Sequence, residues 1–189
     1  MQAATNPLPR DIAPLHVLQL PEALAADLQS DHAGETGAVY IYLGILSVSR
    51  DPAVLAFARE HLATEREHLA FFEEWLPRSR HSALLPVWRL SGWLLGALPA
   101  LFGAGAVFTT IAAVETFVED HYQAQIDALA GTPRWSALRD TLIGFCADEV
   151  AHRDDAAGRT GASASVVART WSAVVDVGSR VGVFLARRL

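Results

Sequence analysis

Lysine is absent from this chain of 189 residues, and all 15 of its basic residues are arginine. No Schiff-base or P-loop lysine mechanism is therefore available. A GC-rich coding bias explains the absence without invoking function. Cysteine occurs once, at Cys146, which excludes an intrachain disulfide and fits a reducing compartment. That thiol lies in the apolar stretch from Leu142 to Ala147 and is expected to pack as a core group. A net charge of -6 argues against nucleic acid as a partner, because binding a phosphate backbone needs an extended basic face. The first residues, Met1 to Pro14, lack a basic start followed by an apolar run. They predict neither a secretion signal nor an arginine-rich transit peptide. With Pro7, Pro9 and Pro14 they read as an irregular lead-in over residues 1–20. Alternating β-branched runs are few and Gly/Pro punctuation is widely spaced, so the rest, residues 21–189, is expected to be one all-α domain.

Charge is also missing locally. From Leu90 to Val114 there is no ionisable side chain. A spanning helix needs about 20 apolar residues, so a single membrane pass must be considered. Pro99, Gly103 and Gly105 argue instead for two shorter helices. Segment 84–114 is expected to be an apolar pair of helices that rests in a bilayer surface or is buried in a homo-oligomer. Trp88 and Trp93 would sit near the interface in the first case, or simply pack in the second. The C-terminal helix is expected over 166–189, with Arg180, Arg187 and Arg188 suited to its dipole or to anionic headgroups.

The residues that carry chemistry come in two sets. Glu35 is followed by Glu65 and His68, and Glu115 by Glu149 and His152. Residues three apart share a helix face, so each Glu-x-x-His pair addresses one point. A helix from about Pro21 to Val48 carries Glu35, and a second, capped by Asp51-Pro52, carries Glu65 and His68. A third, from about Ala106 to Leu129, carries Glu115, and a fourth, from about Trp135 to Arg153, carries Glu149 and His152. Four carboxylates and two imidazoles in this order are the ligand set of a carboxylate-bridged di-iron centre in a ferritin-like four-helix bundle with one long crossover. Mixed oxygen and nitrogen ligation suits iron that must meet dioxygen. One Glu-x-x-His alone is usually a solvated pair; two in register are not. Spacing leaves His61 as an alternative to His68, and Glu119 as a substitute or helper for Glu115. Asp148 is placed to support His68, and Asp31 to support His152. Glu60, Glu67, Glu73 and Glu74 read as solvated, and His16, His32 and His81 as surface or locally bonded groups.

These residues also carry a family resemblance. Asp31-His32-Ala33-Gly34-Glu35, Glu65-Arg66-Glu67-His68 and Leu85-Pro86-Val87-Trp88 resemble the demethoxyubiquinone hydroxylase family. So do Ala113-Val114-Glu115, His121-Tyr122 with Gln125, Asp148-Glu149-Val150-Ala151-His152 and Ser179-Arg180-Val181. Members are ferritin-like di-iron monooxygenases of ubiquinone biosynthesis. The resemblance, from about Leu28 onward, implies iron ligands at Glu35, Glu65, His68, Glu115, Glu149 and His152. It implies that His121 and Tyr122 lie near metal and quinone, with a role in relaying electrons. It further implies two iron ions, O2 as co-substrate, NADH or quinol as electron donor, and a polyprenylated benzoquinone substrate. Other ubiquinone-pathway proteins are expected as partners. The expected location is peripheral, at the cytoplasmic face of a bacterial inner membrane. The chain departs from many relatives at Gly103 to Ala106, where charged residues are missing. Three rivals remain: a ferritin-like iron handler, a tRNA-modifying hydroxylase and a membrane scaffold. The apolar segment, the acidic balance and the paired motifs respectively speak against them.

Overall fold

The computed structural model describes residues 20–160 and 165–189. Apart from Leu20, the expected lead-in lies outside them. The described residues form six α-helices and no strand. They are α1 (Glu22–Val48), α2 (Pro52–Trp75), α3 (Leu85–Ala100), α4 (Ala104–Ala128), α5 (Ser136–Arg159) and α6 (Val166–Ala186).

Local chemistry sets the boundaries. Asp51 caps α2 by accepting from the Ala53 amide at 2.8 Å, and Pro52 occupies the first helical position. Three residues separate α1 from α2, so the two pack as a hairpin. A turn with Gly131 at φ 73° links α4 to α5 in the same way. Ser165 caps α6, accepting from the Ala168 amide at 3.1 Å. The apolar stretch breaks as expected, through Leu101-Phe102-Gly103, where Gly103 at φ 96° starts α4. The fourth bundle helix continues to Arg159, six residues beyond the expected end, so Asp155 and Arg159 are helical. Their pairing at 2.8 Å adds to this last turn.

No helix of the described residues is long and apolar enough to cross a membrane. At 16 residues, α3 is about 24 Å long, short of the roughly 30 Å hydrocarbon core. Instead it lies against α1 at backbone contact. A Cβ on Gly96 would come within 1.9 Å of the Ile41 carbonyl oxygen, and one on Gly92 within 2.3 Å of that of Gly37. The outer side of α3 leaves Leu90, Leu94 and Leu98 exposed, and Phe102 beyond it is 82% exposed. Helix α6 packs on α4 and α1 and exposes Val174, Val177, Val181 and Phe184.

Two separate apolar clusters fill the space between α1, α2, α4 and α5. One joins Leu28, Phe71, Phe72, Tyr122 and Phe145. The other joins Tyr42, Ile45, Phe57, Phe108 and Ile111. In every one of the four helices, the glutamate of interest falls between the two clusters along the sequence. The polar site is thus held between two apolar plugs, the arrangement compatible with a ferritin-like bundle.

Candidate metal centre

Glu35, Glu65, His68, Glu115, Glu149 and His152 are all buried, none more than 5% exposed. They form two overlapping groups. Glu35, Glu65, His68 and Glu149 place one ligand atom each within 4.8 Å of one another, and so do Glu65, Glu115, Glu149 and His152. Glu65 and Glu149 belong to both. Each has two oxygens, so each could serve two cations at once, while Glu35 and Glu115 belong to one group each.

The imidazoles turn the same nitrogen inward. His68 Nδ1 donates to Glu149 Oε1 at 3.1 Å and lies 3.8 Å from Glu35 Oε2. His152 Nδ1 is 3.0 Å from Glu65 Oε1 and 3.4 Å from Glu149 Oε2. The other nitrogen of His68 donates to Asp148 Oδ2 at 3.2 Å, as expected of a carboxylate that fixes the ring of a metal ligand.

The electrostatics call for positive charge. Burial pushes the Glu35 and Glu115 carboxyls well above their ordinary range, and neighbouring carboxylates push the same way. Burial, then Glu149, also raises Glu65. Burial opposes ionisation of Glu149 as well, but the His152 and His68 rings beside it outweigh that and hold this carboxyl at about 2. The nearby carboxylates of Glu149 and Glu65 lift His152 to about 11 against its burial. Several acceptors stay unmatched: Glu35 Oε2, Glu65 Oε1 and Glu149 Oε2 are buried without a hydrogen-bond partner, as is His152 Nδ1. Buried carboxylates without partners are costly unless a cation joins them. Four carboxylates match the charge of two divalent ions, so the residues fit a metal pair.

Two tyrosines close the site reciprocally. Tyr122 donates to Glu35, and Tyr42 donates to Glu115 Oε1 at 3.0 Å. Tyr42 was missed in the sequence, although the signal was there: it follows Glu35 by seven residues, as Tyr122 follows Glu115. Each tyrosine crosses to the glutamate of the other helix.

The spacing alternatives fall away. His61 donates to Asp155 Oδ2 at 3.1 Å and packs edge-on against His152, with ring centroids 4.2 Å apart. Glu119 pairs with Arg153. One expectation is corrected. Asp31 does not support His152; its Oδ1 accepts from His121 Nε2 at 2.9 Å and from Gln125 Nε2 at 2.8 Å. The crossed tyrosines show why. α1 and α4 run in opposite directions, so the turn before Glu35 meets the turns after Glu115. His121 accordingly bonds to Asp31 and not to a cluster carboxylate. His32 is a second correction: it is 1% exposed and not a surface group.

An apolar cavity of about 470 Å³ reaches the four glutamates from between α1, α3, α4 and α6. His121 and Tyr122 line it. So do Val87, Val174 and Val181, each about half exposed, so the cavity opens at the surface between α3 and α6.

A helical bundle with paired carboxylate–imidazole groups in its core, beside an apolar cavity, defines a protein whose core could hold metal next to a pocket suited to an apolar molecule. The family described as "Ubiquinone biosynthesis protein COQ7" matches residues 22–186, and the chain belongs to it. Among relatives, the 3-demethoxyubiquinol 3-hydroxylase of Rhodospirillum rubrum is 33% identical over 165 residues, covering 86% of this chain and 76% of the relative. The mitochondrial NADPH-dependent 3-demethoxyubiquinone 3-hydroxylases of Dictyostelium discoideum and Homo sapiens are 33% and 30% identical, each with the same two coverages.

Proposed function

We propose that this chain is a 3-demethoxyubiquinol 3-hydroxylase of ubiquinone biosynthesis and that its six clustered side chains hold two iron ions. The observation that carries the reading is the pair of overlapping ligand groups, sharing Glu65 and Glu149, in the wall of an apolar cavity. Glu35 and His68 would complete one ion's ligands, and Glu115 and His152 the other's. A bound iron pair would supply dioxygen activation, with one oxygen atom entering the ring and the other leaving as water. Two electrons and two protons complete the balance. Two of the relatives are named as NADPH-dependent. A reduced nicotinamide or the quinol itself takes that place here.

The chain's own residues do the rest. Asp148 keeps the His68 ring oriented, and Tyr42 and Tyr122 hold Glu115 and Glu35 in place. Apolar walls receive the ring and exclude water. His121, held by Asp31 beside the cavity, is the group placed to move protons or electrons to the quinone. A polyprenyl tail needs a lipid route, and the opening between α3 and α6 is flanked by the exposed leucines and valines of both helices. The chain therefore rests peripherally on a bilayer, with that face inward.

The test is expression in cells that lack quinone-ring hydroxylation, followed by analysis of extracted quinones. Wild type should convert accumulated demethoxyubiquinol, and Glu149→Ala should not. A folded wild-type chain that holds two irons yet leaves the intermediate untouched would refute the assignment.

A further inference from the structure

On the opposite side of α1 from the apolar cavity lies a second cavity, of about 570 Å³, between α1, α2 and the start of α3. None of the six clustered ligands lines it, and the hydroxylation needs nothing from it. Its composition is unusual for this chain. Arg78 and Arg89 line it together with Glu73 and Glu74. All four are exposed, yet among the described residues no ion pair within 4.0 Å joins them. Elsewhere Arg80, Arg153, Arg159, Arg180 and Arg187 each meet a carboxylate. Arg89 lies only over the Tyr40 ring, 5.9 Å from its centroid.

The cavity wall also holds a buried polar group without a partner. His32 lines it, and its Nδ1 is buried with no hydrogen bond. The ring stacks on His81 at 4.0 Å, and His81 itself is tied by Nε2 to the Leu76 carbonyl at 3.1 Å. Burial, with His81 and Arg89 adding, lowers His32 to about 4, so the ring is neutral.

Uncompensated charges of both signs in one concavity suit a ligand that carries both. Two guanidiniums fit a phosphate. Two carboxylates fit a primary ammonium, which has three N–H donors where a quaternary one has none. Leu90, the residue after Arg89, begins the exposed row of Leu90, Leu94 and Leu98 on the outer side of α3. A ligand seated here by its polar end would lay apolar chains along that row, whereas a soluble zwitterion would leave the row bare. We propose that this cavity is a headgroup site for a phosphoethanolamine phospholipid, which fixes how α3 lies on the bilayer. The proposal rests on the membrane reading given above.

The test uses the iron-loaded full chain and vesicles of phosphatidylcholine alone, or with an equal share of phosphatidylethanolamine or phosphatidylglycerol. Phosphatidylethanolamine should tighten binding about tenfold over phosphatidylcholine, the effect of one charge-assisted hydrogen bond. That preference should vanish in both Arg78→Gln/Arg89→Gln and Glu73→Gln/Glu74→Gln. The second variant is decisive. If phosphatidylglycerol binds best and the glutamine pair at 73 and 74 tightens binding, the surface is merely basic and the proposal is overturned. If all vesicles bind alike and neither variant matters, the headgroup site is overturned while the membrane reading stands. If no vesicle binds, both fall. Free glycerophosphoethanolamine should compete only weakly; competition as strong as that of the vesicle lipid would reassign the cavity to a soluble ligand.

Discussion

Gly96→Ala is the sharpest probe of how α3 is held. A methyl group there would lie 1.9 Å from the Ile41 carbonyl oxygen, 2.8 Å from its carbon and 3.0 Å from the Ile45 nitrogen. Real Cβ contacts are essentially never closer than 3.0 Å, so the gap to the oxygen must grow from 1.9 Å to at least 3.0 Å. The obstacle is main chain inside a 27-residue helix and has no rotamer to change. α3 must therefore back away from α1 by about 1 Å, loosening the neighbouring contacts at Gly92 and Gly44 as well. Overpacking of this kind costs roughly 1–3 kcal/mol, and a rigid obstacle places it at the upper end. Alanine returns about 1 kcal/mol through its better helix propensity. The net loss of about 2 kcal/mol corresponds to a melting temperature lower by about 4–8 °C for a chain of this size. Gly144→Ala on α5 is the control, because nothing lies within 4 Å of its added methyl. It should gain up to about 1 kcal/mol by the same propensity term. Thermal unfolding followed by circular dichroism measures both. A Gly96→Ala protein as stable as wild type would show that the α1–α3 contact is not as drawn, and with it the wall formed by Trp88, Ser91 and Gly92 on the cavity.

Two further outcomes concern the cluster. Asp148→Asn keeps the shape but weakens the acceptor for His68 Nε2, so metal affinity should drop about 10–100-fold with little change in fold; titration with Co²⁺ reads it, and unchanged affinity would remove Asp148 from the site. The same titration should depend on pH in a set direction. The Glu35 and Glu115 carboxyls are held above their ordinary range and must lose protons to bind, so affinity should fall as pH falls, by about tenfold per unit for each proton displaced. A flat profile between pH 8 and pH 6 would contradict the charge balance drawn for the cluster.

Much of this was legible in the chain. The Glu-x-x-His spacing and the upstream glutamates pointed to the cluster because helical periodicity puts each pair on one face, whereas the choice of His68 over His61 and of Glu115 over Glu119 came from the family resemblance. Pro99 and Gly103 marked the break that rules out a spanning helix. What was hidden depended on helix direction and on close approach. The partner of Asp31 follows from α1 and α4 being antiparallel, which no local pattern states. The burial of His32 depends on His81, 49 positions away, folding over it. The end of α5 was underestimated because Asp154-Asp155 and Gly158 resemble a stop signal, yet His61 and Arg159 hold Asp155 from two directions.

Helix α1 faces the carboxylate–imidazole cluster with Glu35 and Tyr42, the apolar cavity with Gly34 and Ile41, the polar cavity with His32 and Tyr40, and α3 with Gly37 and Gly44. Its whole circumference is therefore committed, and no side of it is free to drift. Random substitution should be tolerated far less between residues 30 and 45 than at the start of α6, where Val166 and Val167 are 70% and 78% exposed.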